Sequence, residues 1–258
     1  MQKLILFSKR DIAGSNIAKI LIEKYEFENV DGSIHKKGDI LVRGIENEVL
    51  HLHEFELKPD ICVVASRHAS ESGMVCLTTH TPGNFSVAEF GGDNRSLGIS
   101  PALYLQAALK NLKKSRSVAE NCEICFEATH HGPTQLPFPI MFVEVGSTVE
   151  NWKSMTMCEI AADAVYETLT QEPEKKEVAI GFGGGHYCRK FSELKKFAMG
   201  HICPKYALEK IDEPMIREMI ERTKPRPTHA LVEKKGMGTE KQRILELLKK
   251  TDLKIGLV

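Results

Sequence analysis

The stretch KLILFSKRDIAGSNIAKILIEKY, residues 3–25, decides the fold class of this 258-residue chain. Residues 3–7 are largely apolar and predict a buried strand. Ser8 or Asp11 can cap a helix that runs to about Tyr25, with Ile17 and Leu21 on its apolar side. A strand followed directly by a helix is the opening unit of an α/β fold.

Apolar runs and helical patterns alternate along the rest of the chain. We predict further strands at residues 39–45, 49–55, 61–66, 74–79, 123–129, 140–146, 178–182, 201–206 and 229–233. We predict helices at residues 101–114, 151–170, 188–199, 213–223 and 239–250. This order predicts an α/β three-layer sandwich, in which a mixed, centrally parallel sheet has helices on both faces. The charged stretch 170–176 is interpreted as a surface loop, so residues 1–258 are predicted to form one domain.

Composition narrows the class of protein and its setting. The 35 basic and 35 acidic residues cancel, so an anionic partner must meet a local patch. Two such patches are present, one of Lys110, Lys113, Lys114 and Arg116, the other of Arg189, Lys190, Lys195 and Lys196. The seven cysteines are odd in number and scattered, which favours a reducing cytoplasm. No signal peptide is expected, and no apolar run approaches the ~20 residues of a membrane span.

Six of the ten histidines lie in short segments of Gly, Ser, Thr and acidic residues, most of them directly after a predicted strand. The segments are SRHASES (66–72), LTTHTPGN (77–84), EATHHGPT (127–134), GFGGGHY (181–187) and GH (200–201). Strand ends at one edge of an α/β sheet converge on a single crevice. The sequence therefore predicts an enzyme active site built from histidines, with a metal as a candidate component.

Individual residues of these segments have competing interpretations. Ser70 could be a nucleophile, but the Gly-x-Ser-x-Gly pattern is absent. Glu144 lies in an apolar strand, where burial would raise its pKa and suit a general base; a solvent-facing position is the alternative. Adjacent side chains of a strand face opposite ways, so we expect only one of His130 and His131 to reach a given ion.

The glycine-rich segment lies between a predicted strand and a predicted helix. Free backbone N–H groups and the helix dipole favour an anion there, so Gly183, Gly184 and Gly185 are predicted to bind phosphate or carboxylate. The segment matches neither the dinucleotide fingerprint nor the P-loop, and a tight turn is the alternative.

Two cysteine-containing metal sites are weaker alternatives. Cys122 and Cys125 have zinc-ligand spacing, but a second pair is missing, so we interpret them as core residues. A closed site of His186, Cys188, His201 and Cys203 ranks below a His/carboxylate site, because Cys188 should already be entering a helix. Zinc with an open position would polarise a carbonyl and lower the pKa of bound water towards ~7.

Taken together, the six motifs resemble the archaeal and plant type of D-aminoacyl-tRNA deacylase. They are SRHASES (66–72), LTTHTPGN (77–84), THHGPT (129–134), FVEVGS (142–147), GGGHY (183–187) and GH-I-x-PKY (200–206). The resemblance implies hydrolysis of the ester that joins a D-amino acid to the terminal adenosine of tRNA. It also implies zinc dependence and a fold related to peptidyl-tRNA hydrolases and phosphorylases.

The resemblance supplies candidate residues, whose roles are our assignment. The metal candidates are His68, His80, His131, His186 and His201. The catalytic candidates are Glu144, Glu127, His130 and Ser70, with Glu144 or Glu127 as the base. The candidates for contact with the acceptor end of tRNA are Gly183, Gly184, Gly185, Tyr187, Thr134, Lys110 and Lys114. Binding to tRNA should weaken with salt. The family's small residue or proline after GGGHY is replaced here by Cys188-Arg189.

Two other functions remain open at this point. One is a metal-dependent hydrolase or phosphorylase of a small peptide or nucleoside, which predicts no salt-sensitive tRNA binding. The other is a noncatalytic tRNA- or nucleotide-binding module, in which the histidines only cap and pack. No membrane or DNA partner is expected, and a monomer is favoured.

Overall fold

The computed structural model describes residues 1–115 and 121–258, so Arg116 of the first basic patch lies outside the described residues. The strands are β1 (Lys3–Ser8), β2 (Glu28–Asn29), β3 (Ile34–Lys37), β4 (Ile40–Ile45), β5 (Ile61–Ala69), β6 (Cys76–His80), β7 (Gly83–Asn84), β8 (Ser96–Leu97), β9 (Ser100–Pro101), β10 (Glu123–Phe126), β11 (Ile140–Ser147), β12 (Glu177–Phe182), β13 (Phe197–Cys203), β14 (Thr223–Lys224), β15 (His229–Val232) and β16 (Lys254–Leu257). The α-helices are α1 (Ile12–Lys24), α2 (Ala102–Lys114), α3 (Val149–Lys153), α4 (Met155–Thr170), α5 (Arg189–Ser192), α6 (Glu213–Glu221) and α7 (Lys241–Leu248). Short 3₁₀ turns occupy Val49–His51, Lys205–Lys210 and Gly238–Glu240.

The opening strand and helix form as the sequence predicts. The Asp11 carboxylate accepts a hydrogen bond from the Gly14 amide at 2.9 Å and caps α1. The same carboxylate accepts hydrogen bonds from the Arg67 amide and the Ser66 hydroxyl, so it ties the start of α1 to β5. Strand β1 lies in the middle of the main sheet, parallel to β4 and β5.

The strands form two principal sheets. The large sheet has the order β10-β6-β11-β5-β1-β4-β3-β2, with parallel pairing from β11 to β4 and antiparallel pairing between β6 and β11. The predicted mixed, centrally parallel sheet is therefore confirmed, and so is the layered α/β sandwich. A second, all-parallel sheet of order β13-β12-β15-β16 was not predicted. The sequence pattern identifies strands but does not say which of them pair.

The apolar core connects the two sheets. Helices α1, α2 and α4 pack on one face of the large sheet, and α2 also contacts β13 of the second sheet. Helices α6 and α7 cover the far face of that second sheet. This continuous core favours the single domain, which stays a prediction. Among the described residues, no helix has the length and apolar character that crossing a membrane requires.

The other face of the large sheet is covered by one 3₁₀ turn and irregular chain, so the prediction of helices on both faces was wrong for this sheet. Its apolar side chains, Val64 and Phe142 among them, pack against residues from the segments 49–57 and 136–138. The strand predicted at 49–55 was wrong, because its apolar side chains cover the sheet face as one 3₁₀ turn and irregular chain. The cavity described below lies on this face.

Several other predicted boundaries change, and three of these changes have a clear structural cause. The predicted helix at 188–199 shrinks to the four residues of α5, because the chain from Phe197 onward pairs with β12 as strand β13. The strand predicted at 201–206 accordingly ends at Cys203, before a 3₁₀ turn. The helix predicted at 151–170 is interrupted at Ser154, whose backbone is extended and whose hydroxyl caps α4.

Candidate active site

A cavity of about 400 Å³ lies on the loop-covered face of the large sheet. Its polar lining consists of Ser8, Asp11, Glu48, Ser66, Arg67, His68, His130, His131, Glu144 and His186. Its apolar lining consists of Val49, Leu50, Val64, Ala65, Ala69, Phe90 and Phe142. A concave cavity in which polar groups converge among apolar side chains is typical of a small-ligand or catalytic site.

One buried carboxylate organises the histidines. Glu127 is the first residue after β10, and its side chain is fully shielded from solvent. Its Oε1 lies 3.1 Å from Nδ1 of His68. Its Oε2 lies 3.0 Å from Nε2 of His186, 3.5 Å from Nε2 of His130 and 3.9 Å from Nδ1 of His80. The structure therefore gathers histidines from four separate segments around one acidic residue.

A second carboxylate faces the same group. Glu144 lies in β11 beside Ser66 of β5 and Thr78 of β6, and its Oε2 is 3.5 Å from Nδ1 of His68. Glu144 is buried, which excludes the solvent-facing alternative. Burial raises the pKa of the Glu144 carboxyl to about 7, although the His68 imidazole opposes the shift.

Glu127 and His68 form the charged pair of the site. Burial raises the pKa of Glu127, but hydrogen bonds from His186 and His68 outweigh it and hold that pKa well below its usual range. Burial likewise lowers the pKa of His68, but the carboxylates of Glu127 and Glu144 raise it to about 12. The Glu127 carboxylate therefore stays ionised beside an imidazolium, while Glu144 can exchange a proton near neutral pH.

Hydrogen bonds define the tautomers of two histidines. His130 donates from Nδ1 to the Ala128 carbonyl at 2.8 Å, and His131 donates from Nδ1 to the Gly132 carbonyl at 2.6 Å. In the neutral rings each Nε2 is therefore an acceptor. Burial lowers the pKa of His130 to about 4 and that of His131 well below its usual range, so both rings are neutral.

His80 completes a triad of imidazoles. Its Nε2 lies 3.1 Å from Nε2 of His131, and its Nδ1 is buried without a hydrogen-bond partner among the described residues. One nitrogen from each of His80, His130 and His131 lies within 4.8 Å of the others. Three imidazole nitrogens this close together fit a metal ion, and the Nδ1 atoms of His130 and His131 are anchored on carbonyls. His68, Glu127 and His186 form a second group of the same tightness.

The structure brings the rings of His130 and His131 to the same side, although the sequence predicted that only one of them would reach a given ion. The alternation argument requires a continuing strand, and β10 ends at Phe126. His131 has a positive φ of 47°, which turns the chain and brings its ring to the side of His130. The ring centroids of the two histidines are 4.3 Å apart.

His201 lies apart from this centre, although it was a predicted ligand. It is fully buried within β13, with Nδ1 3.2 Å from the Thr129 hydroxyl and Nε2 3.1 Å from the Gly98 carbonyl. Both ring nitrogens already have partners in the chain. Among the described residues, no cysteine belongs to any of the candidate metal groups, in keeping with the interpretation of Cys122 and Cys125 as buried core residues.

The glycine loop differs from its predicted form. The amide of Gly183 donates to the Cys203 carbonyl at 2.8 Å, and that of Gly184 donates to the Gly236 carbonyl at 3.1 Å. Both residues have positive φ, and the helix that follows has only four residues. The prediction of free amides at a helix start was therefore wrong for these two glycines, and the tight-turn interpretation describes them. A Cβ on Gly185 would meet nothing within 4 Å, so that residue faces open space.

The remaining candidates divide between the site and its surroundings. Tyr187 reaches the site, with its hydroxyl 3.0 Å from Nε2 of His68. The Thr134 hydroxyl is buried and accepts a hydrogen bond from the Asp93 amide, which supports a loop beside the site. Ser70 lies on an exposed segment, bonded to Ser72, and is not part of the cavity lining. Lys110 and Lys114 lie on α2 and pair with Glu174 and Glu167 respectively.

Sequence reasoning missed several residues of the site. Tyr206 places its hydroxyl 3.4 Å from Nδ1 of His186, and Phe90 forms part of the cavity wall. Asp11 was predicted only as a helix cap, yet it also lines the cavity. The sequence has no signal for Phe90, because its place depends on a loop that packs against a distant segment.

Fold and site together define the class of this protein, an α/β enzyme with a centre of imidazoles and carboxylates in an open cavity. Residues 55–256 match the model of the D-aminoacyl-tRNA deacylase family. The chain is 34% identical to the D-aminoacyl-tRNA deacylase of Thermococcus onnurineus, over 95% of this chain and 96% of that protein. It is 36% identical to the enzyme of the same name from Cenarchaeum symbiosum, over 95% of each. The chain belongs to the D-aminoacyl-tRNA deacylase family.

The fold is similar to that of a solved structure. That structure is a crystal structure of a conserved protein of unknown function, with a TM-score of 0.91 and 24% identity. The similarity covers 99% of this chain and 95% of that one. At this level of identity the likeness shows that the two chains share a fold.

Proposed function

We propose that this protein hydrolyses the ester bond between a D-amino acid and the terminal adenosine of tRNA, releasing free D-amino acid and tRNA. Membership of the deacylase family supports the reaction and its substrate class. The observation that carries the assignment to this cavity is that four histidines and Glu144 line it, while Glu127 and His80 contact those side chains from behind the lining. Such an ester is labile, so a positioned water, an oxyanion stabiliser and selectivity are sufficient for catalysis.

We infer that zinc is the metal and that His80, His130 and His131 hold it. Three neutral imidazoles are a typical zinc ligand set, and Nε2 of buried His80 lies only 3.1 Å from Nε2 of His131, a separation suited to two nitrogens on one ion. When bound, zinc would polarise the ester carbonyl and lower the pKa of a water molecule towards ~7. The carbonyls of Ala128 and Gly132 would keep His130 and His131 in the ligating tautomer.

The two carboxylates have different parts in this proposal. Glu144 lines the cavity and has a pKa of about 7, so it is the better general base for a water near the ester. Glu127 is not part of the cavity lining, and its oxygens are shared among His68, His186 and His130. Glu127 would orient the rings of His68 and His186, because the acceptor Nε2 of His130 has no hydrogen to donate to it. The charged His68 would stabilise negative charge that develops beside Glu144.

The proposal also bears on selectivity for D-amino acids and on the cellular compartment of the protein. The cavity, whose apolar lining includes Phe142 and Val64, would have to accept a D side chain and leave no room for an L side chain. All seven cysteines are free and buried, which fits a reducing cytoplasm. A monomer remains the favoured state.

The decisive experiment measures release of D-tyrosine and of L-tyrosine from charged tRNA, before and after treatment with a chelator and after zinc is added back. We expect fast release of D-tyrosine alone, lost on chelation and restored by zinc. Selective release that chelation does not change would keep the function and remove zinc. No release above the uncatalysed rate by folded, zinc-loaded protein would overturn the proposal.

A further inference from the structure

Phe90 is a large apolar side chain left in solvent at the wall of the cavity. It is 66% exposed, and single exposed apolar residues are common enough that exposure alone carries no argument. Val87, three residues earlier, is 68% exposed and is not part of the cavity lining. The two residues differ in position, since only Phe90 faces the cavity that contains His131 and Glu144.

The backbone that carries Phe90 is held against the histidine segment. The Phe90 carbonyl accepts a hydrogen bond from the Gly132 amide at 3.0 Å, and Gly132 directly follows His131. The Asn84 side chain donates to the carbonyl of Gly91 at 2.9 Å. Gly91 has φ +75°, and a Cβ there would lie 2.1 Å from the Leu50 carbonyl oxygen. The exposed ring of Phe90 is therefore carried by a tightly packed loop. A backbone hydrogen bond joins that loop to the residue after His131, a candidate metal ligand.

The chemistry of the proposed substrate gives a reason for an exposed aromatic ring at this position. The ester is on the last nucleotide of a single strand, so that nucleotide must lie between the reacting centre and the polynucleotide outside. The mouth of the cavity is where its base would be. Unpaired bases are bound by stacking on aromatic side chains, which needs an exposed ring face held in place.

We propose that Phe90 is the stacking platform for the terminal adenine of the tRNA substrate. This inference rests on the proposed deacylase function and adds a base-binding subsite to it. The ring would bind substrate and transition state equally, because it contacts the base and not the ester. Its loss should therefore raise KM and leave kcat unchanged.

The test compares Phe90→Leu, Phe90→Trp and Val87→Ala in deacylation of tRNA charged with D-tyrosine and with D-aspartate. We expect Phe90→Leu to raise KM roughly tenfold for both substrates, the loss of one base–aromatic stack. Phe90→Trp keeps a ring face and should retain the wild-type KM, and Val87→Ala should do the same. An unchanged KM in Phe90→Leu overturns the proposal. A rise confined to one amino acid also overturns it, because the ring would then contact the amino-acid side chain.

A binding titration with the ribotrinucleotide CCA separates this inference from the proposed function. If the wild type shows no deacylation, weaker CCA binding by Phe90→Leu than by Val87→Ala supports the base subsite on its own. In that case equal binding by the two variants, or none by the wild type, overturns the subsite together with the function.

Discussion

His80 and His201 are both buried histidines on strands, but their ring nitrogens differ in hydrogen bonding. Both ring nitrogens of His201 have partners in the chain, on Thr129 and Gly98. His80 has one nitrogen facing His131 and the other without a partner among the described residues. Burying an unpaired nitrogen costs free energy, so a buried histidine with an open nitrogen points to a ligand, and a satisfied one points to structure. Burial and residue type do not separate them, but hydrogen bonding does.

The largest effect on activity is expected at the carboxylate that we propose as base, beside the histidine centre to which His80 belongs. Glu144→Gln should lower kcat by roughly 10²- to 10⁴-fold, because an amide cannot accept the proton. Single-turnover release of D-tyrosine would measure the loss, and circular dichroism would confirm the fold. Glu177→Gln is the control, since Glu177 is a strand carboxylate paired with Lys196 at 2.8 Å. Activity retained by Glu144→Gln would move the role of base to Glu127.

The two histidines themselves provide the direct test. His80→Ala should lose bound zinc, measured by elemental analysis after dialysis, because the triad loses a ligand. His201→Ala should keep its zinc but lose about 1–3 kcal/mol of unfolding free energy in urea, because Thr129 and Gly98 are left with unmet polar groups. Zinc loss from His201→Ala, with zinc retained in His80→Ala, would reverse the comparison.

A smaller effect is expected from the residue that orients the rings. Glu127→Gln should weaken zinc binding roughly 10- to 100-fold, because Oε2 of Glu127 lies 3.9 Å from Nδ1 of the proposed ligand His80 and loss of an acidic group beside a metal ligand has an effect of that size. Competition with a fluorescent zinc chelator would measure it. Glu123→Gln is the matched control, four residues earlier and paired with Arg189 at 3.2 Å. Equal affinities in the two variants would remove Glu127 from the support of the metal site.

The smallest effect concerns charges that already have partners. Lys110 and Lys114 form ion pairs with acidic residues on the surface. In this respect they resemble His201, whose ring nitrogens have hydrogen-bond partners in the core. Surface ion pairs contribute little free energy, so the double variant Lys110→Ala, Lys114→Ala should change KM for charged tRNA by less than about threefold. A larger rise, together with a shallower salt dependence, would show that the patch contacts the tRNA backbone as first predicted.

Much of the fold was predictable because its signals are local. The apolar run at β1 and the Asp11 cap after it need only their own neighbours in sequence. The segment 49–57 misled prediction, since its apolar residues cover a sheet face that only the folded chain presents. The shortened helix after Cys188 has a similar cause, because the strand from Phe197 is stabilised by pairing with β12.

The sequence by itself determined the fold class, the family and the residue types of the site. Those follow from periodicity, caps and motifs, which are properties of short segments. The tertiary structure alone decided which histidine nitrogens are open and which amides of the glycine loop are used. The reason is physical, since their partners come from distant segments: His201 bonds to Gly98, 103 residues away, and His186 to Glu127, 59 residues away.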